Sequence, residues 1–141
     1  MVGHTPEVYR RLGVQTIVNA AGTTTMYSGT RMPREVLQAM EEASQECVFM
    51  PELHRKAGEV IARITGAEAG LVTSGAAAGL VLQAAACIAG SDRAKLERLP
   101  DSTGMRNEII IHRGHRVRFD HAYRLGGARL VEIGETHISH D

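Results

Sequence analysis

The stretch from Leu71 to Leu80, Leu-Val-Thr-Ser-Gly-Ala-Ala-Ala-Gly-Leu, constrains the fold of this chain more than any other. A short apolar run reaches Ser74-Gly75 and then becomes rich in Ala and Leu. We therefore expect a strand over Gly70–Thr73 and a helix from Gly75 to about Ala89. Unpaired N–H groups and the positive dipole end of such a helix suit an anion, usually a phosphate. The pattern alone leaves two interpretations open, a phosphate cradle and a tightly packed strand-to-helix turn.

Helical and strand-like patterns alternate along the rest of the chain. Helices are predicted after Pro33, over Glu52–Thr65 and over Phe119–Leu125, with at most a short helix within Arg93–Asn107; strands are predicted over Glu108–His112 and Arg129–Ile133. This alternation predicts an α/β fold with a mainly parallel sheet and flanking helices. Ligands of such folds bind at the carboxyl ends of the strands.

Charge and length restrict the class of partner. Sixteen Lys+Arg balance sixteen Asp+Glu in 141 residues, so the chain lacks the basic field that drives non-specific binding to nucleic acid. A small-molecule partner is therefore favoured and nucleic acid is disfavoured. The apolar stretch Gly75–Gly90 is shorter than the roughly 20 residues that span a bilayer, so no membrane partner is expected.

Cysteine usage and the first residues favour the cytoplasm. Cys47 and Cys87 are far apart in the sequence, and we expect both to be buried, reduced thiols. Residues Met1–Arg11 contain Glu7 and two arginines and have no apolar core, which is unlike a secretory signal. His137 and His140 have helical spacing but no third ligand, so no metal site is predicted.

Two loops carry candidate functional side chains. Arg113-Gly114-His115-Arg116 follows an apolar strand, where a flat imidazole and two guanidiniums can meet a cofactor ring and its anionic groups. The alternative is a solvated basic loop. The loop Gly22–Met32 offers the hydroxyls of Thr23 and Thr24 and the guanidinium of Arg31 to a carboxylate or phosphate, or is a polar connection without a ligand.

Several motifs in order resemble one family from about Leu12 to His137. They are Val18-Asn19-Ala20-Ala21-Gly22-Thr23, Arg31-Met32-Pro33, Ala57-Gly58-Glu59-Val60-Ile61-Ala62, Thr65-Gly66-Ala67-Glu68-Ala69, Thr73 to Ala78, Arg113-Gly114-His115 and Gly127 to Gly134. The family is the fold-type-I pyridoxal-phosphate family that contains bacterial selenocysteine synthase (L-seryl-tRNA selenium transferase) and D-glucosaminate-6-phosphate ammonia-lyase-like proteins. Agreement of many motifs in one order is far more specific than any single motif.

The resemblance implies a fold, a cofactor and a set of site residues. It implies the N-terminal part of an aspartate-aminotransferase-like large domain, with an N-terminal arm and substrate-side loop over residues 1–32 and an incomplete pyridoxal-phosphate-binding domain over residues 33–141. Ser74, Gly75, Ala76 and Ala77 would form the cup for the cofactor phosphate, and His115 would lie against the pyridine ring. Thr23, Thr24 and Arg31 would line the substrate end of the site, across the interface of a homodimer.

The same resemblance implies an enzyme whose lysine lies elsewhere. Family members carry the Schiff-base lysine and the aspartate that pairs with the pyridine nitrogen downstream of these motifs, and the surroundings of Lys56 and Lys95 do not match. We therefore expect a fragment that is inactive alone, from an enzyme that eliminates ammonia from a small amino acid or amino sugar. The alternatives are selenium transfer to seryl-tRNA, a non-catalytic split subunit, and an unrelated α/β domain that binds another phosphorylated ligand.

Overall fold

The computed structural model of the chain describes residues 5–135. It divides into two compact units, Met1–Phe49 and Met50–Asp141, and each is described by itself below. The division into an arm over residues 1–32 and a large domain over residues 33–141 stays a prediction. His137 and His140 lie outside the described residues.

The first unit holds two helices joined by a long loop. Helix α1 spans Glu7–Arg11, a single 3₁₀ turn spans Thr25–Tyr27, and helix α2 spans Arg34–Ala43. Pro33 precedes α2 with a φ of −58°, and its lack of an N–H costs nothing at a helix start. None of residues 5–49 is buried, so this unit has no core of its own among the described residues.

The second unit contains four helices and two strands among the residues that the structure describes. Its elements are α3 (Met50–Thr65), α4 (Ala76–Ala89), α5 (Arg93–Arg98), β1 (Glu108–His112), α6 (His121–Leu125) and β2 (Arg129–Ile133). Helix α3 ends where Gly66, with a φ of +73°, donates its N–H to the carbonyl of Ala62. Two 3₁₀ turns, Arg113–His115 and Arg118–Asp120, connect β1 to α6.

The two strands pair in parallel, which confirms an α/β fold with a small parallel sheet. Their register runs from Glu108 opposite Arg129 to His112 opposite Ile133. Both strands therefore end at the same edge, and the loop that follows His112 starts there. The predicted bounds of both strands are correct to the residue.

The strand predicted over Gly70–Thr73 is wrong, since this segment pairs with no strand in the part of the chain that the structure describes. It lies against α3 instead. The backbones of Gly58 and Gly70 approach so closely that a Cβ on Gly58 would collide with the Gly70 carbonyl oxygen. An extended run becomes a strand only beside a partner, and here its neighbour is a helix.

The core of the second unit forms where α4 meets α6 and the sheet. Ala84, Ile88 and Ala128 are buried, with Leu99, Met105, Ile109 and Tyr123 packed around them. Gly126, just after α6, permits the close approach of α4, because a Cβ there would lie 2.6 Å from the Val81 carbonyl oxygen. This contact fixes the helix that begins at the Ser74-Gly75 turn.

The structure also shows where the two cysteines lie. Cys47 and Cys87 are free, but both are exposed, so the expectation of buried thiols is wrong. On α4 the buried positions belong to Ala84, Ile88 and Ala89, and Cys87 lies between them on another side of the helix.

Within residues 5–135, no helix is long and apolar enough to cross a bilayer.

Candidate functional site

The turn before α4, which we call the Gly75 turn (Thr73–Ala77), leaves its amide groups open. Gly75 has a φ of +145°, a conformation that favours glycine, and it precedes the first helical residue, Ala76. The Thr73 hydroxyl donates to the Gly75 carbonyl at 2.9 Å and so stabilises the turn. Within the described residues, no group accepts from the N–H of Ala76 or Ala77, and the Ser74 hydroxyl has no partner.

A neighbouring helix shows what a filled N-terminus looks like in this protein. At the start of α5 the Asp92 carboxylate accepts from the N–H groups of Ala94 and Lys95, at 3.0 and 3.2 Å. The first turn of α4 has no such side chain. Ser74, Gly75, Ala76 and Ala77 are all exposed and small, so an external anion can approach these donors. The residues present therefore fit a phosphate.

The predicted ring-stacking residue, His115, ends the first 3₁₀ turn after β1, which we call the His115 turn (Arg113–His115). Its side chain is exposed, and its ring nitrogens have no hydrogen-bond partner in the part of the chain described. The turn begins at His112, whose Nδ1 accepts from the Gly114 N–H at 3.1 Å. The two imidazole centroids lie 5.2 Å apart with planes tilted by 48°.

The arginines beside His115 do not have the freedom that the sequence pattern predicts. Arg113 Nε lies 3.3 Å from Glu132 of β2, and Arg116 pairs with both Glu132 and Asp120. The interpretation that the two guanidiniums meet anionic groups of a cofactor stays a prediction. In this structure both guanidiniums attach the His115 turn to the second strand.

Asp120 is the most buried charged group of this cluster, with 5% of its side chain exposed. A hydrogen bond from Arg116 lowers the pKa of Asp120, outweighing burial, which acts in the opposite direction. The same hydrogen bond raises the pKa of Arg116. Asp120 is thus a fixed anion at neutral pH, and it holds Arg116 in place.

In the first unit, one amide side chain organises the loop that contains the predicted substrate residues. Asn19 Nδ2 donates to the carbonyls of Gly22 and Gly29, at 2.8 and 3.2 Å, and Asn19 Oδ1 accepts from Ala21 N–H at 2.9 Å. Ser28 adopts a φ of +66° inside the loop. The loop is therefore a folded turn and not an open connection.

The three predicted substrate residues differ in their environment. The Thr24 hydroxyl donates to the Ala21 carbonyl at 3.3 Å, so it supports the loop. Thr23 and Arg31 are exposed, and their side chains have no partner within residues 5–135. They lie in the first compact unit, whereas Ser74 and His115 lie in the second.

Sequence reasoning missed several residues that shape these turns. The sequence pattern assigns His112 only to the end of a strand. A turn at the end of that strand brings His112 close to His115, three residues later. Asp120 was not linked to Arg116, yet a separation of four residues is the usual spacing of local ion pairs. Glu132 carried no signal, because its contact depends on the register of β2 beside β1.

Comparison with known proteins identifies relatives of this chain. No protein-family profile matches it. It is 40% identical over 139 residues to the D-glucosaminate-6-phosphate ammonia lyase of Salmonella typhimurium (strain 14028s / SGSC 2262), covering 96% of this chain and 38% of the relative. It is 39% identical over 145 residues to the 5'-C-glycyluridine monooxygenase-decarboxylase of a Streptomyces species, covering 97% of this chain and 36% of that protein.

A solved structure agrees with these similarities. The structure of a D-glucosaminate-6-phosphate ammonia-lyase superposes with a TM-score of 0.88 at 40% identity, over 94% of this chain and 37% of that one. The chain thus spans less than two fifths of the length of the relatives it matches. The resemblance to D-glucosaminate-6-phosphate ammonia lyases that the motifs indicate is confirmed both in sequence and in structure.

Proposed function

We propose that this chain forms part of a pyridoxal-phosphate-dependent enzyme of fold type I that eliminates ammonia from a small amino acid or amino sugar. The observation that carries the proposal is the 40% identity, over nearly the whole chain, to a protein named as an ammonia lyase. The name of that relative contains a phosphorylated amino-sugar acid. We therefore propose a substrate of the same chemical class.

The Gly75 turn supports the choice of cofactor. The open N–H groups of Ala76 and Ala77 and the free hydroxyl of Ser74 are donors for the cofactor phosphate, and the small side chains leave room for it. When bound, pyridoxal phosphate withdraws electrons from the carbon beside the substrate nitrogen and so favours loss of a group from the next carbon. This chain would hold the phosphate through its backbone.

His115 supplies the second contact in this proposal. An exposed imidazole whose nitrogens make no hydrogen bond within residues 5–135 is able to stack on a pyridine ring while its nitrogens accept or give a proton. Because Glu132 and Asp120 bind the neighbouring arginines, His115 is the side chain of its turn that remains available. We propose that it orients the ring.

Arg31 and Thr23 are proposed to bind the substrate. Their side chains are exposed on a loop that Asn19 stabilises, and the Arg31 guanidinium is suited to a carboxylate or phosphate. Thr24 would act by supporting the loop. We further propose that the enzyme works as a homodimer or higher homo-oligomer in the cytoplasm, with this loop contributing to the site across the subunit interface.

A chimeric enzyme tests the proposed reaction. This chain replaces the matching part of the Salmonella typhimurium relative, and ammonia release from D-glucosaminate 6-phosphate is measured. Release of ammonia supports the proposal. Substituting His115→Leu should lower the rate about tenfold through loss of ring stacking, whereas His54→Leu, at another exposed histidine, should leave it unchanged. A folded chimera that binds the cofactor but releases no ammonia contradicts the lyase assignment.

A second candidate reaction follows from the 39% identity to the protein named a monooxygenase-decarboxylase. Its name joins a glycyl group to a nucleoside, so it also denotes an amino-acid substrate. The same chimera distinguishes the two reactions when oxygen consumption and carbon dioxide release are recorded with 5'-C-glycyluridine. Oxygen uptake without ammonia release from the amino sugar would favour this second reaction.

A further inference from the structure

We propose that His112 is a positioning residue that holds the His115 turn so that the His115 ring faces the cofactor. This inference rests on the proposed function, because it concerns the residue that we expect to stack on the pyridine ring. His112 itself is not expected to touch the cofactor.

The His112 ring is bonded to the turn that carries His115. Its Nδ1 accepts from the Gly114 N–H at 3.1 Å, and the turn closes when the Arg116 N–H donates to the Arg113 carbonyl at 3.2 Å. The His112 and His115 centroids are 5.2 Å apart, which is within the range of aromatic pairs. One imidazole therefore contacts both the backbone of the turn and its functional ring.

Two glycines leave room for the His112 ring. A Cβ on Gly114 would lie 3.3 Å from Nδ1, and a Cβ on Gly134, just after β2, would collide with Nε2 of the same ring. Gly134 also has a φ of +74°, where a larger residue is strained. The imidazole thus lies between the turn and the end of the second strand, and its position depends on both.

Ion pairs also hold the turn. Glu132 pairs with Arg113, in the turn, and with Arg116, which follows it, and Asp120 binds Arg116 as well. The pairs with Glu132 attach the turn to β2 through arginine side chains. His112 is therefore the residue whose hydrogen bond acts on the backbone directly before His115.

The hydrogen bond defines which substitutions should preserve the effect. In this bond the His112 Nδ1 is the acceptor and the Gly114 amide the donor. Asn places a carbonyl oxygen at a similar distance from the backbone as Nδ1 and is able to accept from Gly114. Leu fills a similar volume without any acceptor. His112→Asn should therefore keep the turn, and His112→Leu should release it.

The affinity of the chain for pyridoxamine 5′-phosphate measures how each substitution affects the ability of the His115 turn to bind a ligand ring. This probe has no aldehyde, so it forms no adducts with Lys56 or Lys95. His115→Leu should weaken binding about tenfold and His112→Leu about fivefold, from the size of aromatic stacking. His112→Asn should bind within about twofold of wild type. The double variant His112→Leu/His115→Leu should be no weaker than His115→Leu, because one residue acts through the other.

Two binding results would overturn the inference. Unchanged affinity in His112→Leu would show that the turn does not need the imidazole. Equal losses in the Asn and Leu variants, or additive losses in the double variant, would show that His112 acts in another way. His54→Leu serves as the control for loss of an exposed histidine.

A measurement without any ligand separates this inference from the proposed function. In ¹⁵N-labelled protein, the Gly114 N–H···Nδ1 bond should give a scalar coupling between the two nitrogens. His112→Leu, but not His54→Leu, should shift the His115 ring resonances. If wild type does not bind the probe, the proposed function fails, and the NMR result still decides the role of His112. Absence of the coupling, or unmoved His115 resonances, overturns the inference.

Discussion

The Gly75 turn and the His115 turn satisfy their polar groups in opposite ways. Among residues 5–135, the N–H groups of Ala76 and Ala77 and the Ser74 hydroxyl in the Gly75 turn have no protein partner. The His115 turn is held by side chains that lie outside it: His112 accepts from Gly114, Glu132 pairs with Arg113, and Asp120 pairs with Arg116, the next residue. One turn is therefore suited to bind an anion through its backbone. The other is suited to present a fixed ring.

Under the proposed function, the two turns have separate tasks in binding one ligand. A phosphate needs N–H donors that have no other acceptor, and its negative charge is favourable at the helix N-terminus that carries them. A ring needs a surface whose orientation does not depend on the ligand. Since α4 begins at the Gly75 turn and packs against α6, which follows the His115 turn along the chain, one core supports both.

The largest effect should come from separating the two helices. In Gly126→Val the added side chain would collide with the Val81 carbonyl oxygen, 2.6 Å from the nearest Cβ position, and with Ala84. We expect a loss of about 3 kcal/mol in the free energy of unfolding, as for other overpacked sites. Urea denaturation followed by circular dichroism measures it.

Gly79→Ala is the matched control for this change. A Cβ there would lie 3.7 Å from Thr73 Oγ1, an ordinary contact, and Gly79 is inside α4. Ala should stabilise the helix by about 0.5–1 kcal/mol. Destabilisation by both substitutions to a similar extent would contradict the role assigned to the close approach at Gly126.

The next effect distinguishes backbone from side chain within the Gly75 turn. Gly75→Ala places a side chain at a φ of +145°, which should cost about 2 kcal/mol of stability and distort the open donors. Ser74→Ala should change stability by less than about 0.5 kcal/mol, because its hydroxyl has no partner within the described residues. Thermal unfolding compares the two.

The effect of Ser74→Ala on ligand affinity should be larger than its effect on stability. Ser74→Ala should still weaken pyridoxamine 5′-phosphate about tenfold, through loss of one hydrogen bond to a charged group. If Ser74→Ala lowered stability as much as Gly75→Ala, the hydroxyl would be part of the fold and would not be reserved for a ligand.

The smallest effect concerns the charges around the His115 turn. The pKa of Asp120 is lower in the folded chain than in the unfolded one, so its contribution is complete above about pH 4 and is lost as pH falls through the lowered pKa. The melting temperature of Asp120→Asn should therefore lie below that of wild type at pH 6, and the difference should shrink at pH 3.

Glu97→Gln is the control for this pH dependence. Glu97 pairs with Arg93 on the surface of α5, with 68% of its side chain exposed, and exposed pairs contribute little. Its substitution should leave the melting temperature nearly unchanged at both pH values. A gap between wild type and Asp120→Asn that grows on acidification would reverse the sign argued for Asp120.

The local elements were predictable from the sequence because their signals are local. The apolar spacing after Pro33, the stop at Gly66 and the β-branched run of β1 each act within a few residues. The prediction of a strand over Gly70–Thr73 was wrong because a strand requires a second strand beside it, which no local pattern reveals. The contact of Arg116 with Glu132 was missed for the same reason, since Glu132 reaches Arg116 only through the pairing of β1 and β2. The contact with Asp120 has a local signal, the separation of four residues.

The candidate site was predictable in part. The motifs identified the relatives correctly, and the Gly75 turn has the open donors that a phosphate cup needs. The support of His115 by His112 was not predictable, because the strand pattern gives the last residue of β1 no special role. The fold of the loop around Asn19 was equally hidden, since its hydrogen bonds go to backbone carbonyls.

We propose that the Gly75 turn binds the phosphate of pyridoxal phosphate, and amide NMR detects this binding residue by residue. The ¹⁵N-labelled chain is titrated with pyridoxamine 5′-phosphate, pyridoxamine or inorganic phosphate. We expect the amide resonances of Ser74–Ala77 to shift with both phosphate-containing ligands, and pyridoxamine 5′-phosphate to bind more tightly than inorganic phosphate. The His115 resonances should shift only with the ligand that contains both ring and phosphate. Equal responses to pyridoxamine and its phosphate, or no response at Ser74–Ala77, would contradict it.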